Sequence, residues 1–206
     1  MRLVRLSAVL LPALLLAACS KSPLIVTRSA CPAVAVPAYT GDVTLFDRPG
    51  STEAAAIDVV AAITNVRGTC SDAGGNLVTN VSFDVVARRG NAGGAREVSL
   101  PYFVSVVRAG DRLIAKQMGQ VTLRFADGDD RAVAQGTAQS TVSRAAASLP
   151  EEIERKITRE RKPGDADAAI DPLADPEVRE TVRQASFEVL VGFQLTGEQL
   201  AYNATK

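Results

Sequence analysis

The chain predicts an all-β fold, an antiparallel β-sandwich of immunoglobulin or fibronectin III-like architecture, with a helical or mobile insert near 145–185. Three observations predict it. Apolar and polar residues alternate with period two over several long segments. Turn-forming clusters separate those segments. A charged, Ala-rich stretch interrupts the pattern late in the chain and is followed by one more clean alternation.

The first 18 residues stand apart from that fold. Arg2 and Arg5 precede an apolar run from Leu6 to Leu16, and Ala17 and Ala18 lead into Cys19. A charged start, a short apolar stretch and small residues describe a secretory signal peptide. The run is too short for a bilayer span, which takes about 20 apolar residues. An ordinary signal peptide whose cleavage site happens to precede a cysteine is the plainer alternative. The domain plan is a signal peptide at 1–18, a tether at 19–30 and a β-sandwich at 31–206.

Val34 and Val36 suggest a short first strand, confined to an edge by Pro32 and Pro37. Thr44, Leu45 and Phe46 suggest another. Over 56–66, Ile57, Val59, Ala61 and Ile63 share one face, and Asp58 and Thr64 the other. Over 77–88, Leu77, Val81, Phe83, Val85 and Ala87 oppose Asn80, Ser82, Asp84 and Arg88. The run from Arg89 to Gly94 is a turn. Val98, Leu100, Tyr102, Val104 and Val106 then line one face of a strand at 96–108. Pro101, on the opposite parity, argues for an edge or a bulge there. Ala109-Gly110-Asp111 turns into a strand at 112–125, and Asp127-Gly128-Asp129-Asp130 into a weaker one near 131–142.

Ser148-Leu149-Pro150-Glu151 reads as a helix start with a serine cap, running to about Arg161. Lys162-Pro163-Gly164-Asp165 ends it, and Asp175-Pro176 starts a second short helix. Phe187, Val189, Val191, Phe193 and Leu195 make the cleanest strand, expected to return to the core and close the sheet. Thr196 to Gln199 resembles a capping box and predicts one helical turn. Seven or eight strands follow from this count.

Composition narrows the chemistry. Lys plus Arg equals Asp plus Glu over the whole chain, and beyond residue 18 acids exceed bases by two. Nothing in that balance favours nucleic acid, which needs a clustered basic surface. The chain has no histidine, which removes Ser-His-Asp and Cys-His catalysis and nearly all zinc sites. It has no tryptophan for sugar stacking. No cofactor or metal site is expected, and the chain is expected not to be an enzyme. Asp127, Asp129 and Asp130 could offer oxygen ligands to calcium, but a solvated turn fits their spacing better. The same holds for Asp165, Asp167 and Asp171. Lys116 lacks a serine motif for Ser-Lys catalysis. Asn80 and Asn203 open sequon triplets, read as coincidental.

Cys31 and Cys70 are an even pair once Cys19 is set aside, and an exported chain predicts a disulfide between them, with two buried thiols as the alternative. Tyr102 and Phe103 put rings on both faces of one strand. They form a candidate partner or ligand surface if either ring is exposed; coverage of both faces, one by the sandwich and one by 145–185, is the favoured outcome.

Leu16-Ala17-Ala18-Cys19 resembles the bacterial lipobox. The resemblance implies cleavage before Cys19, diacylglycerol on its sulfur and palmitate-type acylation of the new amino group. Two or more chains anchor stably where one does not. Ser20, in place of Asp, implies sorting to the outer membrane, facing the periplasm. Cys31 to Val36 and Val191 to Leu195 are similar to the opening and closing segments of proteobacterial envelope lipoproteins, a likeness that implies no activity. The expectation is a lipid-anchored protein with a non-enzymatic interaction or envelope-assembly role and an envelope protein as partner. A small-ligand or lipid-binding module is the first alternative, and a histidine-free hydrolase the second.

Overall fold

The computed structural model describes residues 25–162 and 164–206; the expected signal peptide and Cys19 lie outside the described residues. Eight strands form two four-stranded sheets. In chain order they are β1 (Ala33–Ala35), β2 (Asp42–Phe46), β3 (Ile57–Ala73), β4 (Asn76–Arg89), β5 (Arg96–Arg108), β6 (Arg112–Phe125), β7 (Arg131–Ser143) and β8 (Phe187–Phe193). One sheet runs β1-β8-β5-β6 and the other β2-β3-β4-β7. All pairings are antiparallel except β1 with β8. The sandwich predicted by the alternation is therefore present. Its strand order is not the ABED against CFG order of immunoglobulin constant domains.

The inward faces are the ones the alternation selects. Val59, Ala61, Val81, Phe83, Val85, Leu100, Tyr102, Val104, Leu123, Val189 and Val191 belong to one buried cluster between the sheets. At its centre Phe83 and Tyr102 meet edge to face, centroids 5.1 Å apart. Each ring lies over a glycine on the neighbouring strand. Phe83 pairs in register with Gly136, and Tyr102 with Gly119. A Cβ at Gly136 would stand 2.2 Å from the Phe83 ring, and one at Gly119 2.3 Å from Tyr102. The glycines leave the space the rings fill, so β7 and β6 each give up a side chain to a cross-strand aromatic.

Several local expectations change. β5 is an interior strand, between β8 and β6, despite Pro101. The Pro101 carbonyl accepts from the Gln194 N–H at 2.9 Å, so its backbone faces the β8 side beyond Phe193, where the ladder has ended. Proline has no N–H to return to Gln194, so the rung is half made and falls where the ladder stops. β8 returns to the core as expected, with Val189 and Val191 fully buried, but it enters the sheet between β1 and β5.

The 145–185 segment is helical: α1 (Arg144–Ala147), α2 (Glu151–Thr158), a 3-10 turn at Pro172–Ala174 and α3 (Pro176–Gln184). Ser148 does not cap α2; its hydroxyl donates back to the Arg144 carbonyl, and Pro150 stands at the N-cap. Asp175 does cap α3, accepting from the Glu177 N–H at 3.0 Å. The expected capping box at Thr196 and Gln199 is formed, but α4 (Gly197–Thr205) runs nine residues rather than one turn. Asn203, near its end, is buried and donates to the carbonyls of Tyr39 (2.9 Å) and Asp42 (2.7 Å). Its amide is thus committed to the crossover between the sheets, which removes the sequon reading.

The two ends of the sandwich differ. At one end Leu77, Val106, Val142, Ala147 and Phe187 form a second cluster, with Ala30 and Cys70 against it. Cys31 and Cys70 are disulfide-bonded there. Residues 25–30 pack on the body at this end. The Val26 N–H donates to Ile157 O, and Arg28 donates to the carbonyls of Ala147 and Ala185. At the far end Arg89, 3% exposed, donates to four carbonyls: Ala92, Gly94, Ala126 and Asp129. Its guanidinium also lies over the Phe125 ring. One buried cation so ties together the loop after β4 and the loop after β6.

Candidate binding cleft

The far end carries an open cleft of about 630 Å³ between the β2–β3 loop, the first turn of α4 and the start of β5. Its floor is apolar. Phe46 and Tyr202 meet edge to face at 5.2 Å, with Leu45 and Pro49 beside them. Its polar wall is an ion pair: Arg96 donates through both terminal nitrogens to Asp58, at 2.7 and 2.6 Å. These hydrogen bonds hold the Asp58 carboxyl below its ordinary range, against the opposing effect of desolvation, and raise the Arg96 guanidinium. Arg48, at the rim, pairs with Glu53 at 3.2 Å and Asp47 at 3.4 Å.

Each piece is placed by a different element. Asp58 follows a 3-10 turn (Ala54–Ala56) that ends the β2–β3 loop, and Ala56 is fully buried beneath it. Arg96 opens β5 directly after the loop organised by Arg89. Thr196 and Gln199 satisfy each other's backbone at the helix start, so the N–H of Gln199 is already taken. An apolar floor with a few fixed polar groups suits reversible binding of a small or extended amphipathic ligand. Asp58 is held ionised by Arg96, which makes it an orienting acceptor rather than a proton donor near neutral pH.

The residues singled out by sequence fall elsewhere. Tyr102 is buried at 8% exposure and its hydroxyl donates to Thr137 O at 2.9 Å, so it is a core residue and no part of a surface. Phe103 is half-buried on the outer face. Lys116 lies over its ring, with Nζ 5.0 Å from the centroid, and donates to Gln194 Oε1 at 2.7 Å. The Phe103 face is thus covered from within the sheet, while the helical segment reaches β5 at its C-terminal end, beside the disulfide end of the sandwich, where Arg108 donates to Gln184 O. Ser105 faces Lys116 across the ladder, but the ammonium is spent on Gln194 and Phe103.

The acidic turn is structural. Asp127 accepts from the Gly94 N–H at 2.7 Å, and Asp130 pairs with Arg88 at 3.0 Å. Asp165 and Asp167 pair with Arg159, and Asp171 accepts from the Leu173 N–H. Among the described residues no three His, Cys, Asp or Glu side chains are grouped to hold a metal, and no helix is long and apolar enough to cross a membrane.

Sequence reasoning missed the cleft. Asp58 is legible only as a polar-face residue of β3, and Arg96 only as the start of a strand. They meet because the β3 and β5 starts share one end of the sandwich. No local signal marks that pairing.

Comparison with protein-family models, curated proteins and solved structures gives no match to this chain.

Proposed function

We infer that the chain is a lipid-anchored bacterial envelope protein that works by binding rather than catalysis, at the periplasmic face of the outer membrane. One observation carries this reading. The Cys31–Cys70 bond uses two of the three cysteines and leaves Cys19, at the end of the apolar leader, as the third. A disulfide suits an exported domain, and a lone cysteine in a lipobox-like context suits acylation. The test is direct. Mass analysis of the protein from its native membrane should find acyl groups on the N-terminal Cys19, and Cys19→Ser should release the protein from the membrane fraction. Unchanged fractionation of that variant would refute the anchor. Mild cross-linking in membranes should recover one specific envelope protein; recovery of none counts against an assembly role.

The cleft supports a second reading, a small-ligand module. Its amphipathic lining and volume lie within the range of small-molecule sites. Native mass spectrometry of gently purified protein would show a bound mass that Tyr202→Ala loses. Absence of any bound species, with no thermal shift across a library of amphipathic metabolites, would remove this reading.

A further inference from the structure

We propose that the β5–β6 hairpin tip is a second membrane contact, one that holds the sandwich end-on against an anionic lipid surface. The proposal rests on the lipid-anchor reading above, because that anchor determines which end meets the bilayer.

The described chain begins at Ile25, and Arg28 fixes its course by bonding the carbonyls of Ala147 and Ala185. Next to Ala185, the Ser186 carbonyl accepts from the Ala109 N–H at 3.0 Å. Ala109 lies in the turn between β5 and β6. Arg183 bonds that same turn through Ala109 O at 2.8 Å and Asp111 at 3.5 Å. The first described residues and the hairpin tip therefore share one end. Six residue steps separate Cys19 from Ile25, so a lipidated Cys19 keeps this end within roughly 22 Å of its own acyl chains.

The tip presents two adjacent aliphatic side chains to solvent. Leu113 is 58% exposed and Ile114 51%. The ladder steps from Val107–Leu113 to Val106–Ala115, so Ile114 is the extra residue of a bulge and leaves the sheet. Arg112 and Lys116 flank the apolar pair; Lys116 is held by Gln194 and the Phe103 ring but keeps its charge, since neither contact is with an acid. Arg112 has no partner among the described residues, and the one acid at the turn, Asp111, shares Arg183 with Glu180. Two exposed aliphatic side chains between two cations match an interface of acyl chains and anionic headgroups. A second copy of this chain would instead bring cations against cations.

The test uses the full lipidated protein in vesicles of phosphatidylethanolamine and phosphatidylglycerol. A nitrobenzoxadiazole label is placed at Ile114→Cys or, as a control, at Val133→Cys. Val133 is 66% exposed at the opposite end of the sandwich. Brominated lipids should quench the label at 114 at least about twofold more than the one at 133. Adding Arg112→Glu and Lys116→Glu should bring the two to the same level. Equal quenching in protein that floats with the vesicles and carries acylated Cys19 would overturn the contact while leaving the anchor standing. Protein that does not float and lacks acyl groups would overturn the anchor, and the contact with it.

Discussion

Arg28 donates a 2.9 Å hydrogen bond to the carbonyl of Ala147, 119 residues further along the chain, and a second to Ala185. One side chain thus joins the N-terminal segment to both ends of the helical insert. Burial lowers the pKa of this guanidinium, with Glu154 opposing the effect, yet it remains charged. Arg28→Met should lower stability by about 2 kcal/mol, the scale of charged hydrogen bonds, and the melting temperature by about 4–8 °C. Hydrogen exchange should rise across 147–158 and 183–186. Unchanged exchange there would show that the insert holds its place without Arg28.

The Cys31–Cys70 bond joins residues 39 positions apart. Replacing both cysteines by serine should cost up to about 4 kcal/mol on the chain-entropy estimate. Alkylation under denaturing, non-reducing conditions should find neither thiol free. Modification of both would put the disulfide out of the fold.

Arg89 satisfies four carbonyls from inside the protein. Arg89→Ala strands them, and Arg89→Lys cannot span them with a single ammonium. Either change should cost about 3 kcal/mol. The cleft should suffer too, because the β5 start that carries Arg96 follows the loop Arg89 holds. A lysine variant as stable as the parent would contradict this account.

Gly136→Ala and Gly119→Ala each place a methyl inside an aromatic ring's space. Overpacking of this kind costs about 1–3 kcal/mol. Denaturant midpoints should fall for both, and adding Phe83→Leu should recover part of the loss at position 136. No loss in either single variant would mean that the rings move aside freely.

Glu180 is pushed down to about 2, first by the Arg183 guanidinium, which donates to both of its oxygens, and then by Gln184. Asp58 is lowered in the same way by Arg96. Folded values below unfolded ones mean that these pairs stabilise the protein above the ordinary carboxylate range, and that each contribution fades as pH falls through the folded value, about 2 for Glu180. Carbon-detected NMR titration should give Glu180 a midpoint near 2, and Arg183→Gln should return it toward its ordinary 4.5. A parent midpoint already at 4.5 would refute the pairing.

The strands were legible because burial on one side of a sheet writes itself into every second residue. Val81, Phe83, Val85 and Ala87 announce their face without help from the rest of the chain. The caps at Asp175 and Thr196 were legible for a similar reason: a side chain satisfying backbone two or three residues away is a local event. The polar half of the cleft was not. Asp58 and Arg96 are 38 positions apart on different sheets, and either reads alone as an ordinary solvated charge.

Sequence by itself determined the sandwich class, the inward faces, the cysteine pairing and the charged insert, since each follows from periodicity, parity or composition. Tertiary structure alone decided that Lys116 rather than the helical insert covers Phe103, that Arg28 and Arg89 bind carbonyls, and that the cleft and the hairpin tip lie at opposite ends. The physical reason is range: alternation and capping act between near neighbours, whereas a guanidinium reaching a distant carbonyl depends on which strands pair and in what register.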